Sequence, residues 1–293
     1  MSDNSDQAIS YPFHFSHWPR SIATPEEYDG SDRLMLSWDL GVVEEKEKKR
    51  AIQKWCGKLP ELQNLRWLSI WSHVTQPLFG AACKTINLEC FQIKWSNIKS
   101  LHGIQQLEKL RHLQIGSSTR VESLQPLTSL TGLKILEIEN FKLISDFTPL
   151  QSLVSLESLA VTGSMWTRQK VASLEPFARM TWLEHLSVDT SNIESLRPLA
   201  SLKGLKSLDV GGRLPMQEYA WLSAKLPNTD CRWFSPYLDL ASSGIGHCKT
   251  CKNDSMVMLT GRGTKTLCRL CDKDVVDRHA AAFNAFRKSA MTE

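Results

Sequence analysis

Apolar residues recur along the middle of the chain in groups of four, at the first, fourth, seventh and ninth places of a short segment. Leu62, Leu65, Leu68 and Ile70 form one group, followed by Leu107, Leu110, Leu113 and Ile115, then Leu130, Leu133, Leu136 and Ile138. Further groups are Leu153, Leu156, Leu159 and Val161; Met180, Leu183, Leu186 and Val188; and Leu202, Leu205, Leu208 and Val210. A weaker copy holds Leu88, Phe91 and Ile93. The closing residues, from Ile70 through Ile93, Ile115, Ile138, Val161 and Val188 to Val210, stand 23, 22, 23, 23, 27 and 22 positions apart. The last two apolar places of each group alternate with polar ones, as a short half-buried strand does, and the steps of three follow one side of an arc. One such unit cannot bury its apolar side alone, so seven in series predict a stack whose core forms between neighbours.

The connecting arcs repeat in register. Ser123-Leu124-Gln125-Pro126-Leu127, Ser173-Leu174-Glu175-Pro176-Phe177 and Ser195-Leu196-Arg197-Pro198-Leu199 are three versions, and Phe147-Thr148-Pro149-Leu150 is a fourth. Proline suits the first turn of a short helix, where its missing N–H is not needed. From about Leu59 to Asp230 the chain resembles the leucine-rich repeat proteins with repeats of about 22 residues, such as bacterial internalins. That resemblance implies an α/β solenoid of about seven repeats. Where such repeats place an asparagine ladder after the strand, this chain has Ser96, Ser118, Ser164 and Ser191, with His73 and Arg213 elsewhere. A hydroxyl bonds neighbouring backbone more weakly than an amide does, so a less rigid ladder is expected.

An open stack exposes its end layers, and both need covers. Arg33–Trp38 reads as a short strand and Glu44–Leu59 as a helix, with Ala51, Ile52, Trp55 and Leu59 on one face, together an N-terminal helical cap. Residues before about Ser31 combine Ser, Asp, Pro and aromatic residues without a period and are expected to form a loosely ordered arm. Tyr219–Leu226 reads as a last amphipathic helix, and Trp233, Phe234 and Tyr237 are candidates to seal the final repeat. The expected divisions are an arm over 1–30, a cap over 31–61, the solenoid with its end cap over 62–234, and a small module over 241–293.

That last module carries two close cysteine pairs. Cys248-Lys-Thr-Cys251 is followed, after sixteen intervening residues, by Cys268-Arg-Leu-Cys271. Two such knuckles present four thiolates to one tetrahedral ion, with a hairpin between them, and the segment is similar to a zinc ribbon. Structural Zn²⁺ is therefore the expected cofactor, because four thiolates leave no position for a substrate. Strand Ser255–Thr260, turn Gly261–Gly263 and return Thr264–Leu267 are expected between the knuckles, and a helix over Asp272–Met291 after them. His247 abuts the first knuckle, in a supporting or surface role.

Composition narrows the function. Of 293 residues 42% are hydrophobic and 23% charged, with a net charge of +4, which describes a folded chain and excludes wholesale disorder. The apolar runs are too broken for a membrane span, and Met1–Gln7 is polar and acidic, unlike a signal peptide, so a cytoplasmic location is expected. A reducing compartment favours metal over disulfides for the cysteine pairs. No Gly-x-Ser-x-Gly elbow, phosphate-cradling loop or His-Glu-x-x-His motif is present, which predicts a protein that is not an enzyme.

The strand residues on either side of, and between, the buried pair face the concave side of such a solenoid. They include Trp67, Trp71, Lys94, His112, Gln114, Glu137, Glu139, His185, Asp189 and Asp209. Two tryptophans cluster at one end and carboxylates dominate later, a pattern suited to a protein partner with a basic surface. The long step between Val161 and Val188 adds a loop with Trp166 at its tip, a further candidate contact. The expected function is a monomeric protein-interaction module, an adaptor, inhibitor or toxin-immunity protein. The alternative is nucleic-acid association through the module's Arg262, Lys265, Arg269, Arg287 and Lys288.

Overall fold

A computed structural model describes residues 11–38, 44–241, 244 and 246–293. The arm's first ten residues and the 39–43 stretch of the expected cap lie outside the described residues. Eight short strands follow chain order in one sheet: β1 (Arg33–Leu36), β2 (Trp67–Ile70), β3 (Cys90–Ile93), β4 (His112–Ile115), β5 (Ile135–Glu139), β6 (Ser158–Thr162), β7 (His185–Val188) and β8 (Ser207–Val210). This is the α/β leucine-rich repeat solenoid, with the cap strand β1 joined to the sheet. The chain forms two compact units, Met1–Ile144 with Ser152–Leu156 and Ala160–Gln169, and Ser145–Gln151 with Glu157–Leu159 and Lys170–Glu293. The division falls inside the repeat array rather than at either of its ends.

In the first unit β1 to β5 pair in parallel with no slip. Leu34, Leu68, Phe91, Leu113 and Leu136 stand side by side in one column, and Leu36, Ile70, Ile93, Ile115 and Ile138 in a second. All ten are buried. Each such side chain stabilises by roughly 1.5–3 kcal/mol on leaving water, and a slip of one residue would turn every one of them to the outside. Helices α1 (Glu45–Lys58) and α2 (Gln76–Ala82) back this half, with Phe79 of α2 stacked on Phe91 at 6.2 Å between ring centres. Where β4 turns away, the chain runs so close to β3 that a Cβ on Gly116 would lie 2.2 Å from the Lys94 carbonyl oxygen. Only glycine fits there.

In the second unit Leu186 pairs with Leu208 and Val188 with Val210. The proline arcs form single helical turns as the spacing predicts, including α3 (Glu175–Ala178), whose Phe177 packs on Phe147 at 5.6 Å. Helix α4 (Met216–Lys225) follows, starting one turn earlier than the apolar pattern alone suggests, with Pro215 at its N-cap position and the Pro215 carbonyl accepting from the Glu218 amide at 3.0 Å. Trp233 closes this end: its indole nitrogen donates to the Val210 carbonyl at 2.6 Å, and its ring lies so near Gly212 that a Cβ there would be 2.5 Å from it.

Three antiparallel strands, β9 (Tyr237–Asp239), β10 (Met256–Leu259) and β11 (Thr266–Cys268), and helix α5 (Lys273–Met291) complete the second unit. Their core is small, with Val257, Leu259 and Val276 buried and Tyr237 and Leu267 packed against them. Helix α5 is tied to α4 at its far end, where Lys225 Nζ donates to the Ala290 carbonyl at 2.7 Å and the Trp221 indole to Glu293 Oε2 at 2.8 Å.

The arm departs from the expectation of loose order. From Tyr11 onward it is packed against the first unit. Ile22 bridges to Leu36, the Trp55 indole of α1 donates to the Ala23 carbonyl at 2.9 Å, and Glu27 accepts from the amides of Ala23 and Thr24. No period in residues 11–30 signals this, because the contacts are made one at a time with distant parts of the chain.

Candidate functional site

On the outer face of the first unit, the polar residues between the two apolar columns lie one repeat apart and bond in line. Ser69 Oγ donates to Gln92 Oε1 at 2.6 Å, Gln92 Nε2 to Gln114 Oε1 at 2.5 Å, and Gln114 Nε2 to Glu137 Oε2 at 2.5 Å. Each amide accepts on one side and gives on the other, so the chain of bonds crosses β2 to β5 and ends on a carboxylate. Gln92 is almost wholly buried in it. The sequence reading included Gln114 and Glu137 among the candidates. Ser69 and Gln92 were placed on the same face but not singled out, although glutamines 22 residues apart at the same repeat position signalled the bonding.

The end of that chain is capped by the arm. The Tyr11 hydroxyl donates to Glu137 Oε2 at 2.9 Å. Phe13 and Trp18 of the arm are buried with Cys90 and Ile135, and Met35 and Trp67 pack against them. Trp67 is enclosed by rings, with Trp18 at 5.6 Å and His112 at 6.1 Å, and the Arg33 guanidinium lies 4.3 Å over its face. Four expected partner-binding residues, Trp67, His112, Gln114 and Glu137, thus touch the chain's own residues at the place where a partner was expected. The Tyr11, Phe13 and Trp18 contribution was missed. Aromatics at alternate positions 11, 13 and 15 in a polar setting were the signal.

Burial lifts the Glu137 carboxyl above the ordinary glutamate value, and the charge of Glu139 adds to the lift, while the donors Tyr11 and Gln114 pull it down. A carboxyl raised in the fold gives stability that is complete below its unfolded value of about 4.3 and is lost as pH rises through the folded value. The unfolding free energy of wild type relative to Glu137→Gln is therefore expected to be larger at pH 4 than at pH 7. Urea titrations at both values measure it, and a difference independent of pH contradicts the assignment.

Other candidates stand apart from the arm. Lys94 is exposed and its ammonium lies 5.4 Å over the Trp71 ring. Glu139 is half-buried and accepts from Ser117 Oγ at 2.9 Å. In the loop after β6, Trp166 and Met165 are both 87% exposed. A Cβ on Gly163 would meet the Thr167 carbonyl at 2.2 Å, so the loop folds tightly back on itself and holds these two side chains outward. In the second unit His185 Nδ1 is 2.8 Å from Ser207 Oγ, and Asp209 is exposed with Arg232 at 3.9 Å. Asp189 accepts from the Ser191 amide at 2.9 Å, which gives it a turn-stabilising role.

The four expected metal-ligating cysteines come together. The sulfurs of Cys248, Cys251, Cys268 and Cys271 all lie within 4.8 Å of one another. Cys248 and Cys271 are 3.9 Å apart and Cys251 and Cys268 3.6 Å, far outside a disulfide bond. Tetrahedral bonds of about 2.3 Å to a central ion set sulfurs about 3.8 Å apart. Backbone amides point at the sulfurs as thiolates require: Thr250 donates to Cys248 at 3.4 Å and Cys271 to Cys268 at 3.3 Å. The Ser255 hydroxyl, 3.0 Å from Cys268, is the main reason that thiol is held well below its ordinary value, whereas Cys271 is pushed up, chiefly by its side-chain hydrogen bond to Cys268. These four residues could hold a metal ion. His247 turns to Asp254, with Nδ1 3.2 Å from Oδ1.

The remaining cysteines lack the surroundings of a nucleophile. Burial pushes the Cys83 thiol up to about 12 and Cys231 to about 11, and raises Cys90 and Cys56. An activated thiol needs the opposite shift. Among the described residues no helix is long and apolar enough to cross a membrane.

No family model matches the chain, and no curated protein does. Solved structures with similar architecture include an internalin of Listeria monocytogenes, 21% identical over 58% of this chain and 54% of its own, with a TM-score of 0.44. Internalin C2 of the same organism is 23% identical over 61% of this chain and 79% of its own, with a TM-score of 0.48. A leucine-rich repeat protein of Leptospira interrogans is 15% identical over 72% of this chain and 57% of its own, with a TM-score of 0.45. The chain thus spans only about half the length of the first and third.

Proposed function

We propose that this chain is a non-enzymatic protein-interaction module, whose strand face takes a protein partner with a basic surface. The observation that carries this reading is the outer face of β2 to β5, where a bonded row of polar side chains ends in Glu137 beside Glu139 and is flanked by Trp67 and Trp71. Ser69 and Gln92 of the row are buried and Tyr11 caps Glu137, so the groups left open beside it are Trp71, Lys94 and Glu139, spread over several repeats, which suits a macromolecular ligand better than a small one. Trp166 and Met165 add an exposed apolar contact. The C-terminal cysteines are read as a structural Zn²⁺ site, since four thiolates favour a soft tetrahedral ion and leave it no open position. A thiolate site in a chain with eight free cysteines fits a reducing cytoplasm.

The nucleic-acid alternative is weaker on this geometry. Of the five cations on which it rests, Arg269 faces Asp239 at 3.7 Å, and nearby Lys273 bonds Asp277 at 2.8 Å. Affinity capture from the native host tests the reading, followed by titration of the captured protein against variants. Glu139→Lys and Trp71→Ala are each expected to weaken binding by about tenfold or more, the scale of an interface anchor. Unchanged affinity in both refutes the face assignment.

A further inference from the structure

We infer that Tyr11–Trp18 is a resident ligand on the binding face, a strap that an aromatic-rich segment of a protein partner displaces to reach Trp67, His112, Gln114 and Glu137. This deepens the interaction reading above and rests on it for the partner, but the strap itself is testable without one.

The docked arm has the composition of a recognition segment. It places two rings, Phe13 and Trp18, among Cys90, Ile135, Met35 and Trp67, and a phenol donor on the terminal carboxylate of the polar row. Between these anchors the links are loose at Phe15, which is 70% exposed, and at His14, whose ring nitrogens bond only the near neighbour Ser16 among the described residues, whereas the Arg33 guanidinium donates to the His17 carbonyl at 2.7 Å. An arm serving only to cover the core has no need of this spacing of anchors and loose links, which is how short segments bind grooves.

The docked state also carries two costs that vanish when the arm lifts. The Trp18 indole N–H is buried with no partner among the described residues, and an orphaned buried donor is expensive. Glu137 is desolvated beneath Tyr11, as its raised carboxyl shows. The next stretch, by contrast, is well fastened to the cap through Ile22, Ala23 and Glu26, the last paired with Lys54 at 2.6 Å. The geometry is that of a strap fastened on its C-terminal side, with exposed Pro19 and Arg20 between the fastened and the releasable parts. An incoming segment that supplies two aromatic side chains, a hydrogen-bond donor for Glu137 and a backbone carbonyl for Arg33 can replace these contacts of the arm.

Cys90 reports the strap directly. It lies wholly buried under Phe13 and Trp18, while Cys83, equally buried in the same unit, lies at the end of α2 against Gly103. Thiol labelling of the full chain under native conditions, resolved by peptide mass spectrometry and scaled to the unfolded chain, compares the two. If the arm lifts on its own, Cys90 reacts at least tenfold faster than Cys83. Phe13→Ala then raises the Cys90 rate a further tenfold or more and leaves Cys83 unchanged, and a synthetic peptide of residues 10–19 restores protection of Cys90 in that variant. Equal rates for Cys90 and Cys83 in wild type, or no protection by the peptide, overturn the inference. Should Phe13→Ala speed both thiols, Tyr11→Phe, which removes one hydroxyl, decides: acceleration of Cys90 alone supports the strap, and any other result makes the arm a structural cover. Failure of partner capture with a releasable strap would remove the partner reading and leave the strap standing.

Discussion

Cys268→Ser is expected to abolish metal binding and unfold the turn and hairpin around the four cysteines. The apolar core there consists of Val257, Leu259 and Val276, with Tyr237 and Leu267 at its edge. Three buried side chains at roughly 1.5–3 kcal/mol each fall short of the cost of ordering the roughly 24 residues of turn and hairpin from Cys248 to Cys271, while Phe283 and Ala290 are buried farther along α5. Structural zinc contributes about 10–16 kcal/mol in small modules, so its loss decides the outcome. Elemental analysis should read one zinc per chain in wild type and none in the variant. Amide exchange of β9 to β11 should rise by orders of magnitude, and Cys56→Ser, outside the cluster, should change neither reading. Retained protection in a metal-free Cys268→Ser chain would show that the hairpin folds without an ion.

The second large effect is expected from Phe91→Ala. Phe91 is fully buried, stands between Leu68 and Leu113 in the strand column, and stacks on Phe79. Truncation removes its transfer free energy and leaves a cavity that parallel strands locked on both sides cannot close, a cost of about 3–5 kcal/mol. Against a total stability of about 5–15 kcal/mol this is a large share. Urea denaturation followed by tryptophan fluorescence measures it. Leu143→Ala, whose side chain is 61% exposed, should stay within about 0.5 kcal/mol of wild type and serves as the control.

The repeat was legible because its signal is local and redundant. Each of Leu68, Leu113, Leu136, Leu159, Leu186 and Leu208 occupies the same place in its own segment, and a repeat protein reuses one packing solution. The cysteine cluster was legible for a related reason: Cys248 with Cys251 and Cys268 with Cys271 are each set by a single turn, and only the meeting of the two turns is long-range. The candidate face was readable as a set of outward positions, from strand alternation alone. What occupies it was not. Tyr11 meets Glu137 across 126 positions, and the Trp18 ring meets Trp67 without any shared period. Gln92 looked like one polar residue among many until its two neighbours in space made it a link in a row.

By itself the amino-acid sequence determined the unit of structure, the number of its copies, the inward and outward sides of every strand, and the four sulfurs that meet. These follow from spacing, because periods of two, three and twenty-two residues map onto backbone geometry wherever they occur. Only the tertiary structure decided that β1 extends the sheet, that the polar residues of β2 to β5 bond in a line, and that the arm lies on the face they form. Such contacts join segments with no common period, and their free energy depends on which surfaces folding has left available.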